Sequence, residues 1–310
     1  MTTEIKAQSY AAPARAMRKP LRINGFFFFL APGVAIVLAL TLFPALYGIY
    51  ISLTNLNLGY VSSSFVGFDN YIRFFTWPDL GMVTRNTLTF VGTVVILQAI
   101  IGLAIAIVLN QKLIGHQLVR SISILPWVLP SVVVGLVFAQ IFGGSRLGIA
   151  NYVLSWFGIK QMAWFSDPLL AMAILIAVST WRGVPFSVIM MLGGLQTLPR
   201  DIYEAAAIDG ANAWQRFRYI TLPLLRPILL ITLILATGGS LNSLDIPLAL
   251  TGGGPGNATE IISISLYKQS FFHLDISYGA TIGTMMLLAN LILIVLYLLV
   301  LRPTRKAEYE

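Results

Sequence analysis

Six stretches of this chain are apolar for too long to belong to an ordinary water-facing surface. They run from Phe26 to Leu53, Thr87 to Leu109, Ser121 to Phe142, Leu169 to Leu195, Ile228 to Leu250 and Gly279 to Leu301. A helix rises about 1.5 Å per residue, so about 20 apolar residues cross the hydrocarbon layer of a bilayer. Backbone polar groups find no water there, and only helices and closed barrels satisfy them internally. The runs lack the in–out alternation of a barrel strand. The expected fold class is therefore an all-α membrane protein with six transmembrane helices. The first run exceeds the roughly 7–15 apolar residues of a secretory signal, so it is read as a span.

Composition narrows the function. Only 10% of the 310 residues are charged and 57% are hydrophobic, against about 25% charged in soluble domains. That excludes an ordinary soluble enzyme, and it excludes disorder, which needs low hydrophobicity. The chain has no cysteine and two histidines, so thiol chemistry is ruled out and a His-rich metal site is not expected. The net charge of +8 suits cytoplasmic loops better than a nucleic-acid face. With a cytoplasmic N-terminus, fourteen of the 20 Lys and Arg fall on the inner side, in the tails 1–25 and 302–310 and in two inner loops. The positive-inside rule then places both termini in the cytoplasm. The outer loops 54–84 and 143–168 carry Phe65, Phe68, Phe74, Trp77, Trp156 and Trp164, which suit the headgroup level. Pro32, Pro44, Pro126 and Pro130 read as kinks within spans.

The inner loop 198–227 is the most informative stretch. Asp201 with Glu204 three residues later has the spacing of a capping box. A short helix is expected from Ile202 to Asp209, made narrow by Ala205, Ala206 and Ala207. Gly210 suits the left-handed residue that ends it. A second helix is expected from about Asn212, with Trp214, Phe217 and Ile220 as its apolar stripe. Pro223 and Pro227 are expected to bend the chain into the fifth span. The result is a rigid knob with a thin tip. The residues alone leave two uses open, docking in a groove of another protein or simply connecting two spans.

The run Glu204-Ala205-Ala206, Gly210, then Ile220-x-Leu222-Pro223 resembles the EAA motif of permease subunits of binding-protein-dependent ABC importers. The resemblance extends upstream through Trp181-Arg182-Gly183-Val184-Pro185-Phe186 and downstream through Leu250-Thr251-Gly252-Gly253-Gly254-Pro255. It is greatest for the maltose-type carbohydrate importers, and for their MalF-like half, although the extra spans and large outer domain some of these carry are missing.

The resemblance implies a permease with no catalytic residues and no cofactor of its own. Its coupling loop would use Asp201, Glu204, Ala205, Ala206, Asp209, Gly210, Ile220, Leu222 and Pro223 to engage a cytoplasmic ATPase. Two such ATPase subunits, holding ATP and Mg, a MalG-like second permease and an extracytoplasmic sugar-binding protein would be the partners. The location would be the bacterial inner membrane. The chain has no Gly-x-x-x-x-Gly-Lys-Ser/Thr loop, so energy must come from outside it.

Ionisable residues inside a span usually face a cavity or the protein interior. Arg182 lies in the fourth span and Asp245 near the end of the fifth. Counting residues along the spans puts Trp181, Arg182, Ser240 and Asn242 near mid-depth. A sugar needs hydroxyl partners and an aromatic face, so Trp181, Arg182, Ser240, Asn242 and Asp245 are the expected substrate path. The competing reading is interhelical hydrogen bonding, with Gly238 and Gly239 allowing close packing. Rival functions are import of another polar solute, such as glycerol phosphate or a polyamine, secondary transport, and a membrane-embedded glycosyltransferase. No internal duplication favours secondary transport. The outer carboxylates are too scattered in the sequence for the glycosyltransferase.

Overall fold

The computed structural model describes residues 23–59, 63–111, 116–145 and 148–300. The expected basic tails, apart from residues 23–25, lie outside the described residues. The chain divides into two units, residues 1–47 and 48–310. The described part of the first unit is helical, with a π-helical turn at Leu38–Leu42 between the helices Ile23–Val37 and Phe43–Ser52. Pro44 accounts for that turn: it has no N–H to donate and its ring crowds the carbonyl four residues back. Widening the helix locally relieves both problems. Side chains 30–47 are exposed throughout, as suits an apolar stretch surrounded by hydrocarbon.

Among the described residues, five helices are long and apolar enough to cross a membrane: Leu30–Ser52, Leu80–Leu109, Pro168–Gln196, Ala213–Leu241 and Ile276–Val300. The third expected span is broken. Its halves Ser121–Val128 and Ser131–Ile141 meet at 95°. Pro130 is extended, with ψ 130°, and a residue that precedes proline is steered away from helical geometry. Pro126, by contrast, remains inside a continuous helix.

The fifth span also differs from expectation. It ends at Leu241, and a separate short helix, Asp245–Leu250, follows. The Asn242 side chain donates to the Gly238 carbonyl at 2.8 Å, and such local bonding competes with helix continuation. At its start the fifth span is not interrupted at Pro223 or Pro227. Helix runs from Ala213 to Leu241 through a π turn at Phe217–Thr221. This turn, like the one before Pro44, lies immediately ahead of a proline and gives the Pro223 ring room.

Close approach of the second and fourth spans organises the second unit. A Cβ on Gly102 would stand 2.5 Å from the Ser187 Cβ, and one on Gly183 would stand 2.0 Å from the Gln98 amide nitrogen. Small residues let two membrane helices approach this closely. The apolar interior is then in two parts. One contains Phe90, Val94, Leu175, Ile246, Ile264 and Tyr278. The other contains Ala106, Val188, Met191, Leu192 and Leu225. Between them along the second and fourth spans lie the buried polar side chains Gln98, Ser179 and Thr180, with Ser187 buried against Gly102.

Candidate functional site

This polar belt borders a cavity of about 390 Å³. The second span contributes Gln98, the fourth Ser179 and Arg182, and the fifth Ser240 and Ser243. Trp127, from the broken third span, and Phe186 form an aromatic side, their rings 6.2 Å apart. The hydroxyls of Ser179, Thr180 and Ser187 and the Nε of Arg182 are buried without a hydrogen-bond partner. A buried polar atom left unpaired costs about 1–3 kcal/mol, and two of these, on Ser179 and Arg182, belong to residues that line the cavity, where a polar ligand would be stabilising.

A smaller cavity of about 240 Å³ shares Arg182, Gly239 and Ser243 with the first and adds Ser131, Asn242 and Asp245. Asp245 accepts a hydrogen bond from the Ser131 hydroxyl. Arg182 donates through Nη2 to the Leu129 carbonyl at 3.4 Å. Both contacts are made to the break in the third span, one residue on either side of Pro130. The break thus brings polar groups of three spans to one point.

Four of the five expected path residues, Arg182, Ser240, Asn242 and Asp245, line these two cavities. Trp181 does not. It borders a separate apolar groove with Thr180, Pro126 and Pro185, and its ring meets the edge of Phe138 at 5.3 Å. Neighbouring helix positions differ by about 100° in direction, and here Trp181 is turned to the groove while Arg182 is turned to the cavity. The indole at the cavity is that of Trp127, which sequence reasoning missed. Gln98 and Ser179 were missed as well. A Gln in an otherwise apolar span was the available signal for Gln98.

The knob also differs in detail from expectation. Its first helix is Arg200–Ile208, with Pro199 at the N-cap and no side-chain cap. Asp201 and Glu204 therefore form no capping box, because Pro199, extended with ψ 129°, starts the helix ahead of Asp201. Inside the first turn, Asp201 faces the positive end of the helix dipole instead. Asp209 is the C-cap and Gly210 is left-handed, with φ +79° and open space around it. The capping box lies in the second helix: the Gln215 N–H donates to Asn212 Oδ1 at 2.9 Å, and the Asn212 N–H donates to Gln215 Oε1 at 2.8 Å.

Asp201, Glu204, Ala205, Asp209 and Gly210 are exposed, Ala206 is half-buried and Ile208 is 86% exposed. Ile220 and Leu222 are half-buried at the root of the knob and Pro223 is exposed. The root is held by a hydrogen bond of 2.9 Å between Tyr203 and the buried Thr221, and by Leu225, fully buried against Gly194.

The family described as binding-protein-dependent transport system inner membrane component matches residues 98–306. The trehalose/maltose transport system permease protein MalF of Thermococcus litoralis is 35% identical over 275 residues, covering 88% of this chain and 92% of that protein. The sulfoquinovosyl glycerol transport system permease protein SmoG of Agrobacterium fabrum is 33% identical over 274 residues, covering 88% of this chain and 89% of its own. The crystal structure of a bacterial ABC transporter involved in the import of the acidic polysaccharide alginate shares the fold, with a TM-score of 0.76 at 21% identity, covering 90% of this chain and 96% of that one. The chain belongs to the family of binding-protein-dependent inner membrane transport components and is a multi-pass membrane protein.

Proposed function

We propose, from that membership, that this chain is one membrane half of an ATP-driven importer for a sugar or oligosaccharide. The observation that carries the reading is the polar belt. Ser179, nine-tenths or more buried, leaves its hydroxyl unpartnered beside a cavity with an aromatic side, and the Arg182 Nε on the same wall is unpartnered too. A ligand rich in hydroxyls and with one apolar ring face would satisfy both. The names of the sugar-transport relatives point to the same class. Arg182, Ser240, Asn242 and Asp245 form the polar walls of the path.

The knob provides the coupling. Glu204, Ala205, Asp209 and Gly210 present a narrow exposed tip to a groove in a separate cytoplasmic ATPase, which holds the ATP and Mg. A short helix with a defined end transmits a push because its packing has discrete states rather than a continuum. The chain itself has no catalytic role. A MalG-like second permease completes the path, two ATPase subunits drive it and an extracytoplasmic binding protein delivers the sugar. Both termini lie on the cytoplasmic side of the inner membrane.

The test is uptake by proteoliposomes that contain the assembled complex, ATP inside and sugar-loaded binding protein outside. Uptake should require hydrolysable ATP, and Ser240→Leu should lower it at least tenfold while the complex still assembles. Purification of the chain without any ATPase would remove the importer reading. Normal uptake by the Ser240→Leu complex would return that residue to helix packing.

A further inference from the structure

Building on the carbohydrate reading, we infer that the path is made for an uncharged sugar, with Arg182 and Asp245 as the pair that rejects a charged one. The two lie on the wall of the same small cavity, yet they do not pair with each other. The ion pairs among the described residues are Arg73–Asp275 and Lys268–Glu260. No other lining residue of either cavity carries a charge, so the charges on its walls sum to zero.

Both charged groups are engaged by neutral partners. A hydroxyl, that of Ser131, donates to Asp245, and a carbonyl, that of Leu129, accepts from Arg182. A sugar hydroxyl can do either job, since it both donates and accepts. The Leu129 contact is long at 3.4 Å, and the Arg182 Nε has no partner at all. Asp245 retains free lone pairs. Hydroxyls of one sugar can therefore serve the guanidinium and the carboxylate alike.

A charged sugar cannot do so without conflict. A uronate would satisfy Arg182 but place a second negative charge beside Asp245. An amino sugar would satisfy Asp245 and meet Arg182. Like charges side by side on a cavity wall repel, and like-charge juxtaposition is a common way to reject a wrong ligand. Fold likeness does not decide this point, since the alginate transporter takes an acidic polysaccharide.

The experiment is equilibrium dialysis of the assembled, detergent-purified complex, without its binding protein, against radiolabelled maltose and digalacturonate. The wild-type complex should bind maltose and hold digalacturonate at least tenfold more weakly. Asp245→Asn should narrow that ratio by about tenfold by admitting the acid. Arg182→Gln should weaken maltose at least tenfold with no gain for the acid. Equal or tighter binding of digalacturonate by wild type would overturn the inference and leave the carbohydrate reading standing. So would an unchanged ratio in an Asp245→Asn complex that elutes as an intact assembly. Binding of neither sugar to wild type would sink both readings. The wild-type comparison decides the matter even if a variant fails to assemble.

Discussion

The knob and the polar belt are both small, and both depend on glycine, but they are held together by opposite means. The knob takes its shape from neighbours in sequence: Gly210 turns the chain, and Asn212 and Gln215 bond across three positions. Almost nothing covers it. The belt takes its shape from residues far apart, with Gly102 against Ser187 and Gly183 against Gln98. Conformational freedom makes glycine useful in the first case, and the missing side chain makes it useful in the second. The same substitution should therefore act locally in one region and globally in the other.

The largest effect is expected at Gly102→Val. A Cβ there would lie 2.5 Å from the Ser187 Cβ and 3.2 Å from the Ser187 carbonyl carbon. Backbone cannot swing aside as a long side chain can, so the second and fourth spans must separate. Overpacking of this kind costs about 1–3 kcal/mol or more. Purified complex should fall in yield and melt at a lower temperature by intrinsic fluorescence. A variant with unchanged yield and melting would show that the two spans are not packed as closely as this structure has them.

The comparison also explains what could be read in advance. The spans and the two-helix knob follow from local pattern, namely long apolar runs, a Gly at the helix end and Asn before a polar turn. The break at Pro130 was visible only as a kink, because proline signals a bend without its size. The belt was half legible. Arg182, Ser240, Asn242 and Asp245 stood out as polar residues in apolar surroundings, whereas Trp127 and Trp181 look alike in such a run. Only the packing of the third span against the fourth decides which indole meets the cavity. The supposed box at Asp201 and Glu204 failed for a local reason: Pro199 sets the helix start, and its effect on register outweighed the spacing of two acidic residues.

A milder effect is expected at Gly210→Val, which sharpens the contrast. No atom lies within 4 Å of the position its Cβ would occupy, so the cost is conformational, about 1–2 kcal/mol for a side chain forced into the left-handed region. That is enough to unwind or tilt the tip and too little to disturb the packed spans of the second unit. The complex should purify normally, while stimulation of ATP hydrolysis by sugar-loaded binding protein drops several-fold. Wild-type stimulation in this variant would mean the knob is a connector, and the ATPase must be engaged elsewhere.

The smallest effects lie within the knob, where two polar residues with similar sequence credentials should behave differently. Asn212 caps a helix through two reciprocal bonds, so Asn212→Ala should cost about 1 kcal/mol. Asp201 makes no such bond and sits in the first turn of its helix. Its removal forfeits only the dipole interaction, about 0.3–1 kcal/mol at an exposed site. Hydrogen exchange of the knob amides in the assembled complex measures this difference directly. Exchange should quicken about fivefold in Asn212→Ala, by the rule that about 1.4 kcal/mol is a factor of ten. The change in Asp201→Ala should be smaller and confined to the first turn of its helix. If Asp201→Ala instead loosened the knob as much as Asn212→Ala, the helix would have to begin at Ile202, two residues later than Arg200. The acidic pair, and not Pro199, would then set its register.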